Sequence, residues 1–257
     1  MIQRQQPIST HPSSGFTLIE MAIVLVIIGL LVGGVLQGQT FLNNAKLNAM
    51  MTESKGYINA FNQFIATKHA VPGDYSSINT GVATQHYGDG NGVIRAGATP
   101  NTGELFGAFE HLAKAGLIPG SYTGVTGSGG TAVAVPGVNI PQSTALSNAT
   151  YLFNHPDALD GNVSGDTTYF NGKYGHVLTV AGNTAGGLPS TGIVTPVQAL
   201  AIDDKYDDGA PGTGWITVKK PAAANTTDCA NDVTTTAAYN TALTTKVCYF
   251  FLNITGS

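Results

Sequence analysis

The sequence predicts an α+β fold: a long N-terminal helix, membrane-spanning in its first half and amphipathic in its second, packed on the antiparallel β-sheet of a globular head. Three observations predict it. The run from Phe16 to Leu36 is apolar enough to cross a bilayer, for which about 20 residues suffice. Apolar residues then continue at helical spacing, with no proline between Phe16 and Pro72. The remainder is rich in Gly, Thr and Asn, with β-branched clusters bounded by turn formers, as strands require.

The chain has 257 residues, of which 42% are hydrophobic and only 10% charged, with a net charge of -4. That balance excludes a basic nucleic-acid surface. The residues beyond the helix suffice for one domain with a real core.

The elements follow in order. Residues 1–15 are polar, with Arg4 the only formally charged side chain. A cation before an apolar run holds that end in the cytoplasm. A secretory signal would place small residues after the apolar region, but Ser13, Ser14 and Gly15 lie before it. Cutting behind Gly15 would therefore remove the leader and keep the span. Glu20 sits inside that span, where a carboxylate costs a few kcal/mol at least and marks a functional site by default.

Gly29/Gly33 and Gly34/Gly38 form two small-xxx-small steps suited to close helix contact. Each also costs about 1 kcal/mol of helix propensity against Ala. Past Leu36, the apolar set Leu47, Met50/Met51, Tyr57/Ile58, Phe61 and Phe64/Ile65 takes one face; Asn48, Thr52, Lys55, Asn59 and Asn62 take the other. A helix over 16–71 would run roughly 80 Å, and Val71-Pro72-Gly73-Asp74 should stop it.

Turn-rich sequence follows, including Asp89-Gly90-Asn91-Gly92. Asn101-Thr102-Gly103-Glu104 reads as the start of a helix over 105–115, with Gly116 as its stop. Strands are expected at 131–135, 176–180, 215–219 and 247–254. In the last, Val247, Tyr249 and Phe251 face one way and Cys248, Phe250 and Leu252 the other, so it should be covered on both sides. A helix over 197–206 is expected, with Thr195 as cap and Pro196 at its first position.

Gly15-Phe16-Thr17-Leu18-Ile19-Glu20 with its apolar run resembles the processing site of type IV pilins and type II secretion pseudopilins. The resemblance implies cleavage by a prepilin peptidase between Gly15 and Phe16 and N-methylation of Phe16. It implies a partner for Glu20 in the Phe16 amino group of a neighbouring subunit. Physics agrees: a carboxylate in an apolar bundle needs a charge partner, and losing it costs about 3–5 kcal/mol. Many pilins carry a proline about twenty residues into the mature helix; Leu36-Gln37-Gly38 has none, which argues against a proline kink. A looser resemblance to larger prepilin-like proteins runs through Pro72-Gly73-Asp74, Asp89-Gly90-Asn91-Gly92, Glu110-His111-Leu112 and Ala115-Gly116-Leu117-Ile118.

Cys229 and Cys248 enclose residues 230–247. A head moved across the inner membrane folds where disulfides form, and such a bridge would stabilise it by roughly 3 kcal/mol. The resemblance agrees, because many pilins pair two C-terminal cysteines around a surface loop. The alternative is two free buried thiols. Asp203, Asp204, Asp207 and Asp208 offer four carboxylates near a turn, and Asp89 and Asn91 two oxygen side chains. Calcium takes oxygen ligands from such loops, and some pseudopilins resemble this. Lys205 interrupts the alternate-acid spacing of an EF-type loop, and no bidentate Glu follows. The competing reading is a helix C-terminus running into a solvated turn.

Catalysis finds little support. The six histidines show no HExxH spacing, and no GxSxG or P-loop occurs. His111 reads as a packing or capping residue. The expected organisation is a leader at 1–15, the long helix at 16–71 with 16–38 as span and filament core, and a head at 72–257 with a C-terminal disulfide loop. The resemblance implies a structural subunit that is no enzyme. It would be inserted in the bacterial inner membrane and carried to the periplasm or surface by an assembly platform. It would pack with copies of itself or other pilins in a type IV pilus-like filament for adhesion, motility or uptake. A pseudopilin of type II secretion is the alternative within the class. A membrane-anchored periplasmic ligand-binding protein or enzyme is the alternative outside it.

Overall fold

The structure, a computed structural model, describes residues 15–75, 88–95, 104–130, 132–156, 162–163 and 166–254. The leader up to residue 14, the cap at residues 101–103 and Thr131 lie outside the described residues. Helix α1 spans Leu18–Lys68. The chain divides into two compact units, Met1–Ala45 and Lys46–Ser257. Residues 18–45 of α1 belong to the first and residues 46–68 to the second.

In the first unit the helix is apolar and bare. Leu18 is 94% exposed, and Ile19, Leu25, Leu30 and Leu31 are all exposed. In the second unit the expected apolar face holds: Leu47, Met50, Met51, Ile58, Phe61 and Phe64 are buried and Tyr57 and Ile65 half-buried, while Thr52, Lys55, Asn59 and Asn62 are exposed. The helix ends at Lys68 rather than at residue 71. His69 takes a left-handed φ of 53° and its N–H closes the last turn on the Ile65 carbonyl, so the break precedes the proline.

Helix α2, Glu104–Lys114, ends on Gly116 at φ 72°. Leu117 N bonds Leu112 O and Gly116 N bonds Ala113 O, the pairing that satisfies orphan carbonyls at a helix end. Helix α3, Pro196–Tyr206, starts on Thr195 in a full capping box with Gln198, as the Thr-Pro pair predicts.

Among the described residues six strands form: β1 Thr150–Asn154, β2 Asn162–Val163, β3 Gly172–Lys173, β4 Val177–Ala181, β5 Ile216–Val218 and β6 Phe250–Asn253. β2 and β3 pair by themselves; the other four make an antiparallel sheet of order β1-β4-β6-β5. Cross-strand partners share a face. The register Phe153↔Leu178↔Leu252↔Ile216 therefore lies on the side of Tyr151, which turns to α1. There Phe61 meets Phe153 at 4.9 Å, Tyr57 meets Tyr151 at 4.8 Å, and α2 adds Phe109 at 4.8 Å from Phe153. On the opposite face Phe251 packs on Tyr169 at 4.5 Å. β6 is thus buried on both sides, though shorter than the expected 247–254.

Two expectations are corrected. Residues 132–135 form no strand: Val133 O and Val135 N are tied to the Asn139 side chain and Ala134 N to Gly187 O, leaving no ladder to join. β1, unassigned from the sequence, is an edge of the sheet. Glu53 of α1 anchors that edge by accepting from Tyr151 OH at 2.7 Å and Ser143 Oγ at 2.6 Å. Burial opposes its charge, but these bonds and those from Thr144 hold its pKa below the ordinary value.

Candidate functional site

At the N-terminal end, Gly15, Phe16 and Thr17 precede the helix and are exposed, Phe16 at 81%. The Gly15–Phe16 peptide bond lies within this exposed stretch. Glu20 accepts from Thr17 N at 2.7 Å and Thr17 Oγ1 at 2.8 Å, and its own N–H reaches Thr17 Oγ1 at 3.3 Å. This is a reciprocal cap that satisfies orphan donors at a helix start. The pattern Thr-x-x-Glu announced it, and the sequence reading missed it. Gly29, Gly33, Gly34 and Gly38 have nothing within 4 Å of where a Cβ would stand. Nothing in the chain itself requires glycine there.

At the other end, Cys229 and Cys248 are disulfide-bonded, with Cα atoms 4.9 Å apart, and both are buried. Cys248 is held by reciprocal backbone bonds with Val194, just before α3. The loop that the bridge closes sends Tyr239 OH to Asp203 Oδ2 at 2.7 Å. Asp203 is fully buried on α3, and its Oδ1 has no hydrogen-bond partner. Burial, reinforced by the carboxylates of Asp208 and Asp207, pushes its pKa up to about 7 against the Tyr239 bond. Carboxylate oxygens of Asp203, Asp207 and Asp208 lie within 4.8 Å of one another. Asp204 is exposed and outside that group, because its carboxylate points at Gly209 instead. No sequence pattern links Tyr239 to α3.

A second acidic group, Asp74, Asp89 and Glu104, converges as closely, but each member accepts hydrogen bonds from the loop around it, Asp89 from Asn91 N at 3.0 Å and Asn91 Nδ2 at 2.8 Å. Asp74 accepts from Gly90 N at 2.5 Å and Gly92 N at 2.7 Å; Glu104 accepts from Asp89 N at 3.2 Å and Arg95 N at 3.0 Å. These carboxylates hold a loop together. Burial pushes the Glu104 pKa up to about 7. His111, buried, accepts from Gly73 N at 2.9 Å and stacks on Phe64, so it caps and packs as expected. His176 stands 5.3 Å from Phe61 and 5.0 Å from His155, and burial lowers its pKa to about 4. A cleft of about 180 Å³ gathers Arg95, Asn154, His155, Asp166 and Tyr169. Another of about 320 Å³ lies beside Glu53 and Tyr57. Neither lining includes a serine or cysteine nucleophile.

Residues 11–36 match the family model of the prokaryotic N-terminal methylation motif. The chain carries the signature of type IV pilins and pseudopilins. No curated protein and no solved structure matches it. The match covers the start of the chain, and the α+β arrangement of long helix and four-stranded antiparallel sheet fits the pilin fold. The motif marks a pilin-type precursor and implies prepilin peptidase processing and pilus assembly in general; the apolar helix fits a membrane anchor. Proteins that carry this motif are structural, pilin-type proteins and not typically enzymes.

Proposed function

We propose that this chain is a structural subunit of a type IV pilus-like filament that serves adhesion, motility or uptake. The peptidase cuts between Gly15 and Phe16, removing residues 1–15, and Phe16 is then N-methylated. The helix over residues 16–38 anchors the precursor in the inner membrane and later forms the filament core. The head at 72–257 faces outward. Glu20 pairs with the Phe16 amine of a neighbour. Gly29, Gly33, Gly34 and Gly38 let helices of copies of this chain, or of other pilins, approach closely.

The observation that carries the reading is the bare apolar helix. Its exposed side chains begin immediately after an accessible Gly15–Phe16 bond and a capped Glu20. Exposed apolar surface on this scale needs lipid or another protein surface to cover it. The C-terminal disulfide loop favours a surface pilus over the pseudopilin alternative.

Intact mass and N-terminal sequence of the chain recovered from cells with a prepilin peptidase test the proposal. A product starting at methylated Phe16, lost when Gly15 is changed to Leu, is expected. A chain that still begins at Met1 rejects it. Antibody to the head then distinguishes the alternatives, labelling surface filaments for a pilus and only the periplasm for a pseudopilin.

A further inference from the structure

The geometry points to a sugar-binding cleft in the head, where Asp166, Asn154 and Tyr169 hold one neutral sugar residue on the sheet face that turns away from α1. The site goes beyond filament assembly and uses no part of the processing motif.

The cleft of about 180 Å³ gathers Arg95, Asn154, His155, Asp166 and Tyr169 in its lining. Side chains alternate along β1, so Asn154 stands on the face opposite Tyr151 and Phe153. There its Oδ1 accepts from Thr179 Oγ1 of β4 at 3.0 Å, and its Nδ2 donates to the Tyr169 hydroxyl at 2.6 Å. Tyr169 is only 6% exposed and packs on Phe251 and Tyr174. Its hydroxyl accepts from Asn154 and gives its own proton to no acceptor among the described residues. A buried donor left unused is costly, and a ligand oxygen in the cleft would take that proton. Asp166 is fixed by its own loop. Its Oδ1 accepts from Thr168 N at 2.5 Å and Tyr169 N at 2.8 Å, while its Oδ2 accepts from nothing among the described residues. His155 donates its Nδ1–H to Pro156 O at 2.6 Å, which makes Nε2 its acceptor nitrogen.

These groups select the ligand. Arg95 and Asp166 bring one positive and one negative charge to the lining, so the cleft has no net formal charge and suits a neutral guest. It offers a donor on Tyr169 and acceptors on Asp166 and His155. Sugar hydroxyls, each at once donor and acceptor, match such a mixture. Ile94, Leu105, Pro156 and Leu188 add an apolar wall for the C–H face of a sugar ring. A few convergent polar groups on an apolar lining are what small-ligand sites are made of. The volume lies below the roughly 300–1,000 Å³ of pockets that take drug-sized ligands, which limits the guest to a single sugar residue.

The test uses the full chain in a detergent without a sugar headgroup, with glucose, galactose, mannose and N-acetylglucosamine as probes. Saturation-transfer NMR should show contact with at least one of them, with a Kd in the millimolar range. Asp166→Asn keeps the Oδ1 acceptor for Thr168 N and Tyr169 N but replaces the Oδ2 acceptor with a donor. It should weaken that binding about tenfold or more while leaving the thermal melt in place. Leu188→Trp fills the cleft from its half-buried apolar side and should abolish binding without removing a polar group. Either variant decides the matter if the other fails to fold. Free L-alanine, a small zwitterion, should show no contact. No contact with any of the four sugars, undiminished binding in either folded variant, or stronger contact with L-alanine than with every sugar overturns the proposal. None of these readouts depends on filament assembly.

Discussion

The two halves of α1 have the same backbone and opposite relations to the rest of the molecule. Residues 46–68 are amphipathic, and Met50, Met51, Phe61 and Phe64 disappear into a core shared with α2 and β1. Residues 18–45 are apolar and bury almost nothing. The difference teaches that the first half is built for an environment outside the chain and the second for this chain's own head. Changes in one half should therefore be felt in assembly and changes in the other in folding.

The largest effect should come from the charge in the bare half. Glu20→Gln keeps an acceptor for the Thr17 cap but removes the charge that we propose pairs with a neighbour's amine. Breaking such a pair costs about 3–5 kcal/mol, so filaments seen by electron microscopy should be lost while the urea unfolding of the head stays unchanged. A head that unfolds more readily would erase the distinction between the halves.

Next comes a matched pair of truncations. Phe61 is fully buried and contacts Phe153 and His176, so Phe61→Ala should cost about 3–5 kcal/mol. Leu30 is 74% exposed, and Leu30→Ala should leave the same unfolding transition within about 0.5 kcal/mol. Equal losses would mean that residues 18–45 support the head after all.

The same contrast explains what was legible in the sequence. α1 could be read because its burial follows from local spacing, and α3 because Thr195, Pro196 and Gln198 are a local start signal. β6 could be read because β-branched and aromatic residues bury on both faces. β1 could not, since Thr150–Asn154 owes its conformation to pairing with β4, with Thr150 opposite Ala181. The alternating residues 131–135 misled for the converse reason. They look like a strand, but Asn139, only a few residues on, captures the backbone groups a partner would need. At the acidic turn the carboxylates were visible, whereas the Tyr239–Asp203 bond, 36 residues apart, exists only once the disulfide loop folds back.

The buried half also carries a pH signature. His176 has its pKa lowered to about 4 by burial and by His155, from an ordinary 6.5. Its contribution is present above pH 6.5 and lost as pH falls towards 4. Glu104, raised to about 7 by burial from 4.5, works the opposite way, contributing below pH 4.5 and losing that as pH rises through 7. Each is worth at most about 3 kcal/mol. In calcium-free buffer, urea midpoints between pH 4 and 8 should separate them. His176→Phe should remove the acid-side loss, and Glu104→Gln should reduce the alkaline-side loss, the rest of which belongs to Asp203, likewise raised to about 7 by burial. A flat profile in the wild type with no change in either variant would contradict both assignments.

The smallest effect compares two caps of one kind. Thr195 with Gln198 starts α3 inside the head, and Thr17 with Glu20 starts α1 in the bare unit. Thr195→Ala should cost the head about 1 kcal/mol in urea unfolding. Thr17→Ala removes chemically similar bonds yet should leave that transition where it was, because the first turn of α1 is not part of what unfolds. Its consequence should be seen instead in backbone exchange at the start of α1, where losing the hydroxyl frees the Glu20 amide. If Thr17→Ala lowered the head's stability as much as Thr195→Ala, α1 would be behaving as one cooperative element from end to end. The division of labour between its halves would then have to be abandoned.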